Sequence, residues 1–407
     1  MPHLIYILIL VFVIGGFLFE QILSFLNNRA RSQAIPANLS DIYSDDKYQK
    51  YRNYRQESYR FGVLSSWFSF GLMLAMLLFG FVMLDNWVAG TAESSLLQSL
   101  IFFAVLGLAS EILTLPFDIY DTFVIEQKYG FNKTTPRLYI TDKLKGLMLA
   151  AVIGGGLLSL IIWLYMVFGS AFWWLAWIAF TLFSVFFAFF YSSLIVPLFN
   201  KQTPLEEGEL RSKLTELGSG AGFNISNIFV IDGSKRSTRA NAYFSGFGSR
   251  RRIVLFDTLI QNQTVEEIVA VVAHEIGHYR KKHIITGLII STLQTGLLLF
   301  LFSLIVDYQV IYEAIGCSRQ SFHLGLILFL VLFTPFSLLS SIGGNLLSRR
   351  HEFEADAFAK AYAGGEPLAR SLRKLSADNM SDLTPHPLYV FFHYSHPPLL
   401  QRLERLE

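Results

Sequence analysis

The hydrophobic pattern of the chain is dominated by six long runs that contain no Asp, Glu, Lys or Arg. A helix needs about 20 apolar residues to cross the hydrocarbon core of a bilayer. The fourth run is long enough for two crossings, with a break near Phe168, Gly169 and Ser170. The charge-free runs are residues 4–19, 61–84, 94–110, 146–200, 284–306 and 320–348.

The runs predict an α-helical integral membrane protein with seven transmembrane helices. These are residues 3–26, 62–84, 97–117, 146–168, 171–199, 284–306 and 324–346. The first run has the position of a signal peptide, but only His3 and the amino terminus precede it and no small-residue cleavage site follows. We therefore expect an uncleaved anchor.

Water-facing sequence is concentrated in two places, and it predicts a small α+β unit and a mainly helical tail. In the first place, residues 204–217 have a helical pattern, 227–231 and 252–256 have the pattern of strands, and 241–247 is a candidate third strand. The predicted division of the chain is residues 1–200 with transmembrane helices 1–5 and cytoplasmic loops 1 and 3, residues 201–283 as the α+β segment, residues 284–346 with transmembrane helices 6 and 7, and residues 347–407 as a cytoplasmic tail.

Lys and Arg alternate between the loops and predict the orientation of the chain. The loop after the first transmembrane helix has seven, the loop after the second none, and the loop after the third five, while the connection between the fourth and fifth has none. Because Lys and Arg in short loops mark the cytoplasmic side, loops 1, 3 and 5 and the tail are predicted to be cytoplasmic.

Composition excludes several classes of protein. The 407 residues are 53% hydrophobic and 16% charged, against about 25% charged in soluble domains, which excludes a soluble globular enzyme, a fibrous protein and a disordered chain. The net charge of +2 gives no indication of a nucleic-acid partner. Cys317 is the only cysteine, so an intramolecular disulfide and a thiolate zinc site are excluded.

The strongest chemical motif is His274-Glu275-Ile276-Gly277-His278, which follows a capping-box pattern beginning at Thr264. Two histidines four residues apart lie on one face of a helix, so their ring nitrogens can reach one Zn²⁺ ion at about 2.0–2.1 Å. Glu275, beside the first histidine, can polarise a water on the zinc and then transfer its proton to the leaving amine. An accidental histidine pair remains the alternative for this motif alone.

A catalytic zinc also needs a third protein ligand and an open position. The best candidates on the same side of the membrane are Glu352 and Asp356, which follow the seventh transmembrane helix as the histidines precede the sixth. The two helices form a hairpin, so these segments are neighbours. One carboxylate can bind zinc while the other orients a histidine; the alternative is that both acids pair with Arg349 and Arg350. Glu354 is expected to face solvent.

Other polar residues give weaker signals. His283 and His323 are expected at opposite membrane interfaces, and His386 in a turn. Glu111, near the end of the third transmembrane helix, either lines a cavity or reaches the interface. His393 has no clear assignment.

The His274–His278 motif, the later Glu352 and Asp356, and the seven predicted transmembrane helices together resemble the type I CAAX prenyl protease family of seven-span membrane zinc metallopeptidases. The resemblance covers residues 120–402 and includes more than the zinc motif. Further similar segments are 122–126 and 130–134 in loop 3, 197–200 at the end of the fifth transmembrane helix, 241–244, and 393–398 with Arg402.

The resemblance implies roles for individual residues and an architecture. His274, His278 and Glu352 would bind one Zn²⁺ per chain, with Glu275 as the general base and Asp356 behind the ligands. His396 and Arg402 would stabilise the developing oxyanion. The implied architecture is a ring of seven tilted helices around a water-filled chamber, capped by the metalloprotease domain. The residues that would flank the substrate are Asn241, Ala242, Tyr243 and Phe244.

The predicted substrate-flanking residues 241–244 also have a physical interpretation. Residues 241–248 end in a pattern that favours an exposed sheet edge. A peptide can add to such an edge as an extra strand; an ordinary hairpin strand is the alternative. Without the resemblance, His396 would be interpreted as a surface residue before a Pro-Pro turn and Arg402 as a surface charge on the last helix.

The predicted function is therefore a zinc endopeptidase that cleaves near the C-terminus of prenylated CAAX-type or other membrane-associated polypeptides. Alternatives are a quality-control protease for membrane proteins, an intramembrane site-2-type protease, and a seven-span transporter or receptor with an accidental motif. Charged residues on both sides of the histidine motif argue against the intramembrane protease. The expected partners are a peptide or lipidated protein and the lipid bilayer, and the sequence does not indicate an oligomeric state.

The expected location is a prokaryotic plasma membrane, with the endoplasmic reticulum as the alternative. This expectation depends on two features, a C-terminus without a dilysine-like signal and the absence of a long insertion before the zinc helix.

Overall fold

The computed structural model describes residues 1–31, 37–39, 42–222, 227–246 and 251–407, most of them helical. The helices are α1 (Pro2–Ala30), α2 (Asp45–Ala75), α3 (Phe81–Ala89), α4 (Ser95–Tyr120), α5 (Gln127–Tyr129), α6 (Pro136–Leu149), α7 (Gly155–Phe168), α8 (Phe172–Leu194), α9 (Val196–Phe199), α10 (Glu209–Gly220), α11 (Asp257–Asn262), α12 (Val265–Arg280), α13 (His283–Ile305), α14 (Gln309–Ala314), α15 (Phe322–Ala363), α16 (Gly365–Asp378), α17 (Pro387–His393) and α18 (Leu399–Leu406). The strands are β1 (Gln202–Pro204), β2 (Ile228–Ile231), β3 (Ala242–Ser245) and β4 (Arg252–Phe256).

Six helical stretches in the described part of the chain are long and apolar enough to cross a membrane. Five of these stretches each correspond to one predicted transmembrane helix. The remaining stretch, Pro136–Phe199, covers two predicted transmembrane helices. At the predicted break, Gly169 has a φ of 55° and separates α7 from α8. The two helices pack against each other through Tyr165 and Phe172. The count of seven therefore depends on α7 and α8 crossing separately, and it stays a prediction.

The segments predicted to be cytoplasmic lie together at one end of the membrane helices. Glu126, after α4, accepts hydrogen bonds from Tyr54 on α2 and from Arg239 next to the sheet. Arg31, after α1, forms an ion pair of 2.6 Å with Asp382 in the tail. These contacts join loop 1, loop 3, the α+β unit and the tail at one end of the protein. The side of the membrane that this end faces stays a prediction.

The α+β unit contains a four-stranded sheet with the order β1-β2-β4-β3. Strand β2 is parallel to β4, and the two edge strands are antiparallel to their neighbours. Strands β2, β3 and β4 lie where the sequence predicts them, although Phe247 of the predicted third strand is outside the described residues. Strand β1 is not predicted, and the helix predicted from residue 204 begins only at Glu209. Pro204 is tolerated because β1 is at the edge of the sheet.

Helix α15 continues beyond the predicted seventh transmembrane helix as one helix of 42 residues, across the predicted boundary at residue 347. It packs against α12, and the contact is close at Gly277. A Cβ atom at Gly277 would lie 3.0 Å from the Ala355 Cα atom and 3.1 Å from the Phe358 Cβ atom. Glycine at this position therefore lets the two helices that carry the site residues approach closely.

A polar cluster lies at the other end of α15, and we call it the Asp85 cluster (Asp85, Ser99, Arg319 and His323). Asp85, Ser99 and His323 are buried, and Arg319 is partly exposed. His323 Nε2 and Arg319 Nη2 each lie 2.7 Å from the Asp85 carboxylate. His323 Nδ1 is 3.0 Å from the hydroxyl of Ser99. His323 lies in the first turn of α15 and is only 1% exposed, because Asp85 supplies a partner inside the protein. Its expected position at a membrane interface stays a prediction.

Candidate metal centre and active site

Helix α12 presents the two histidines of the sequence motif on one face. Its start is set by a capping box in which Thr264 and Glu267 satisfy each other's backbone N–H groups, as predicted. Buried Glu267 is also held by Lys374, 2.7 Å away. One turn separates His274 from His278, and their Nε2 atoms are 3.1 Å apart. Both ring nitrogens therefore point to one position.

Glu352 on α15 completes this group of donor atoms. Its Oε2 lies 3.5 Å from His274 Nε2, and its Oε1 lies 3.3 Å from His278 Nε2. Zinc–ligand distances of about 2.1 Å place tetrahedral ligands about 3.4 Å apart, which agrees with these separations. Oε2 is buried and accepts no hydrogen bond among the described residues. Two imidazoles and a carboxylate with a free lone pair fit a zinc ion.

Asp356 and Arg402 lie directly behind the first histidine. Asp356 Oδ1 is 2.9 Å from His274 Nδ1, on the side of the ring away from Glu352. Arg402 on α18 donates two hydrogen bonds to Asp356, of 2.6 and 2.9 Å, and its Nη1 is 3.5 Å from Glu352. Asp356 and Arg402 therefore hold the His274 ring in place. We use the name Glu352 cluster for His274, His278, Glu352, Asp356 and Arg402.

The electrostatics of the site favour an added positive charge. Burial lowers the pKa of His274, but hydrogen bonds with Asp356 and Glu352 outweigh burial and raise that pKa to about 9. Burial raises the pKa of the Glu275 carboxyl, against the effect of the two histidines. An arrangement that attracts a proton to His274 also suits a cation bound to its Nε2.

His396 and Arg402 reach the same carboxylate but differ in exposure. The His396 Nε2 atom is 3.3 Å from Glu352 Oε1, and the side chain is 64% exposed. Arg402 is buried, and its guanidinium is directed at Asp356. Without the resemblance, both residues would be interpreted as surface residues. Arg402 is not one, because it is buried. His396 is exposed, but it also contacts Glu352.

The four predicted substrate-flanking residues lie at the free edge of the sheet. Ala242, Tyr243 and Phe244 belong to β3, which pairs only with β4 in the described sheet, and Asn241 precedes them. The Phe244 ring lies 5.0 Å from that of Tyr279, the residue after His278. Next to β3 is a cavity of about 770 Å³ with largely apolar walls, lined by Phe187, Tyr191, Ile195, Tyr243, Phe244 and Ile284 among others.

Two residues next to the site were not identified from the sequence. His283, the first residue of α13, is buried and in contact with His278, and its expected position at a membrane interface stays a prediction. Glu354, expected to face solvent, is half-exposed and lies 3.2 Å from His283 Nε2. The contact depends on Lys282, whose φ of 62° turns the chain between α12 and α13. Helical periodicity could not predict the contact between His283 and His278, since the two residues belong to different helices.

The remaining polar residues that the sequence left open also have partners. Glu111 forms a 2.6 Å ion pair with Lys143, and His393 lies 3.2 Å from Glu20. His386 caps the start of α17, where its ring accepts a hydrogen bond from the backbone of Leu388.

Comparison with protein families matches two successive models to residues 24–201 and 204–407. The model described as CAAX prenyl protease N-terminal, five membrane helices, matches residues 24–201. The model described as peptidase family M48 matches residues 204–407, which include the whole Glu352 cluster.

Individual proteins are similar to the chain over nearly its full length. The CAAX prenyl protease 1 of Saccharomyces cerevisiae is 36% identical over 97% of this chain and 94% of the yeast protein. A CAAX prenyl protease 1 homolog of Oryza sativa subsp. japonica is 37% identical over 98% and 96%. The crystal structure of S. mikatae Ste24p superposes with a TM-score of 0.93, covering 99% of both chains at 36% identity.

Proposed function

The chain belongs to the CAAX prenyl protease family of M48 peptidases and is a membrane zinc metalloprotease, and we propose that it hydrolyses prenylated polypeptides near their C-termini at the Glu352 cluster. The observation behind this proposal is the convergence of three donor atoms from α12 and α15. The intramembrane site-2-type protease and the transporter or receptor are not supported by the family match. The resemblance stated from the sequence is confirmed.

His274, His278 and Glu352 would hold one Zn²⁺ ion through both Nε2 atoms and the carboxylate. When bound, the ion supplies Lewis acidity, which polarises water and a peptide carbonyl group. Asp356, held by Arg402, accepts a hydrogen bond from His274 Nδ1–H and so presents the Nε2 lone pair to the metal position.

Glu275 is proposed as the general base. It lies between the two histidines in sequence, and burial raises the pKa of its carboxyl. A raised pKa suits a group that must take a proton from water and then transfer it to the leaving amine, because catalysis is most efficient when the pKa is near the working pH.

His396 and Arg402 are proposed to act differently. His396 is exposed beside Glu352, so its Nε2 can donate a hydrogen bond to the oxygen of the reacting carbonyl group. Arg402 is buried against Asp356, so its contribution is to fix the acid behind His274.

The free edge of β3 is proposed to bind the substrate as an added strand. Backbone groups from Asn241 to Phe244 would pair with the peptide, and the apolar cavity next to β3 would take its aliphatic side chains. Prenylated substrates reach the site along the membrane, because the lipid anchors them in the bilayer.

We propose the endoplasmic reticulum membrane as the location, with the active site facing the cytoplasm. The chain is an integral multi-pass membrane protein. Its relatives from yeast and rice align over nearly their whole lengths, so the absence of a long insertion does not favour the prokaryotic plasma membrane. Reporters fused at the C-terminus and after Thr91 are expected to lie inside and outside, respectively; reporters on the same side would contradict this orientation.

The function is tested with the purified full-length protein and a pair of peptides that end in the same CAAX sequence, one farnesylated and one not. We expect release of the C-terminal tripeptide from the farnesylated peptide, loss of cleavage with a chelator, and recovery with Zn²⁺. Equal cleavage of both peptides would favour a quality-control protease, and cleavage of neither would contradict the proposed function.

A further inference from the structure

The side chain of His283 connects the second histidine of the motif to a carboxylate. Its Nδ1 atom is 3.1 Å from His278 Nδ1, and its Nε2 atom is 3.2 Å from Glu354 Oε2. The His283 ring is stacked on that of His351, with the ring centres 3.9 Å apart and the planes inclined by 8°. The orientation of His283 is therefore restrained by contacts on its two nitrogens and on its face.

The hydrogen positions in this chain of residues follow from the geometry. Because His278 Nε2 points to the metal position beside His274 Nε2, its proton belongs on Nδ1 when a metal is bound. His283 Nδ1 must then accept that proton's hydrogen bond, so His283 carries its own hydrogen on Nε2 and donates it to Glu354. Each donor meets one acceptor.

We propose that His283 and Glu354 are positioning residues that fix the ring orientation and tautomer of His278, as Asp356 does directly for His274. The proposal rests on the proposed function, since it requires His278 to bind zinc. Each histidine ligand would then be supported by its own carboxylate, one in direct contact and one through a second imidazole. Such supports typically change metal affinity by about 10–100-fold.

The surroundings of Glu354 favour a local role over a general structural one. Arg350 donates a 2.9 Å hydrogen bond to Oε1 and leaves Oε2 for His283. The Glu354 side chain is 36% exposed, and ion pairs at such positions contribute little to stability, typically about 0–1 kcal/mol. Removal of Glu354 should therefore affect His278 more than it affects folding.

The test is the zinc dissociation constant of the full-length protein, measured by competition with a chelator of known affinity. Glu354→Ala and His283→Phe are expected to raise it by about 10–100-fold. Glu354→Gln keeps an oxygen acceptor for His283 Nε2–H, so it should bind zinc more tightly than Glu354→Ala. The matched control is Glu366→Ala, which removes another acid paired with an arginine four residues away, and its zinc affinity should equal that of the wild type.

A second measurement is the visible absorption of the Co²⁺-substituted protein, which responds to ligand orientation. The spectrum should change in His283→Phe and Glu354→Ala but not in Glu366→Ala. Wild-type zinc affinity and spectrum in both variants would overturn the proposal, as would Glu354→Gln binding as weakly as Glu354→Ala. If His283→Phe does not fold, the Glu354 variants decide. A wild-type protein that binds no zinc would instead contradict the proposed function.

Discussion

The two ends of α15 carry similar polar residues in two different arrangements. At one end, Asp85 is paired with His323 and Arg319; at the other, Asp356 is paired with His274 and Arg402. The ends are roughly 44 Å apart along the helix, at 1.5 Å per residue from His323 to Glu352. Both aspartates are almost fully buried. The residue types alone do not distinguish a structural cluster from a metal centre.

The difference is whether the donors and acceptors are balanced. In the Asp85 cluster one carboxylate faces one guanidinium, and the second nitrogen of His323 is bonded to Ser99. In the Glu352 cluster Arg402 faces two carboxylates, Glu275 adds a third nearby, and Glu352 Oε2 accepts no hydrogen bond in the described part of the chain. Excess negative charge and convergent lone pairs therefore indicate a cation at one end only.

The largest expected effect is the loss of metal from one end and not from the other. Glu352→Ala and His274→Ala should each abolish zinc binding and peptidase activity, because a catalytic zinc needs three protein ligands. His323→Ala should keep one zinc per chain. Elemental analysis of the three purified variants measures this; zinc lost from His323→Ala but retained in Glu352→Ala would reverse the assignment of the two clusters.

The next effect separates metal binding from catalysis within the Glu352 cluster. Glu275→Gln should retain zinc, since no ligand is removed, while kcat falls by about 10²–10⁴-fold because the general base is lost. Turnover and zinc content are measured on the same preparation. Wild-type turnover in this variant would rule out Glu275 as the base.

Much of the Glu352 cluster could be predicted from sequence because its geometry depends on local rules. The spacing of His274 and His278 places both on one helical face. Glu352 could be located because transmembrane helices joined by a short loop are neighbours, which brings two segments distant in sequence to the same end. The family resemblance then supplied Arg402, whose position on the last short helix has no local signal.

Contacts that depend on several independent helices could not be predicted. The Asp85 cluster combines α3, α4 and α15 with the loop before α15, and no periodicity links them. The contact of His283 with His278 requires the left-handed conformation of Lys282, which is unusual for a residue other than glycine. Strand β1 is three residues long and exists only through its pairing with β2.

The Asp85 cluster is expected to affect stability and not chemistry. Asp85→Ala removes the carboxylate partner of buried His323, whereas Arg319 is 36% exposed and keeps Gln98 as a partner. The expected cost is therefore that of one buried polar group left without its partner, about 1–3 kcal/mol. The melting temperature in detergent should fall, while zinc content stays at one per chain. Glu93→Ala, at an exposed position near the same end of the protein, is the control; an unchanged melting temperature for Asp85→Ala would show that the balanced cluster does not stabilise the fold.

The smallest effect concerns Asp356, the residue of the Glu352 cluster that most resembles Asp85. Asp356 accepts hydrogen bonds from His274 and Arg402 without reaching the metal position, so Asp356→Ala should weaken zinc binding by about 10–100-fold and not abolish it. Asp356→Asn keeps an oxygen for His274 Nδ1–H and should lose less affinity than Asp356→Ala. Chelator competition measures both. If Asp356→Ala instead lost zinc completely, as Glu352→Ala is expected to, Asp356 would itself be a zinc ligand. The Asp85 cluster and the Glu352 cluster would then differ in the role of their aspartates and not only in the balance of charge around them.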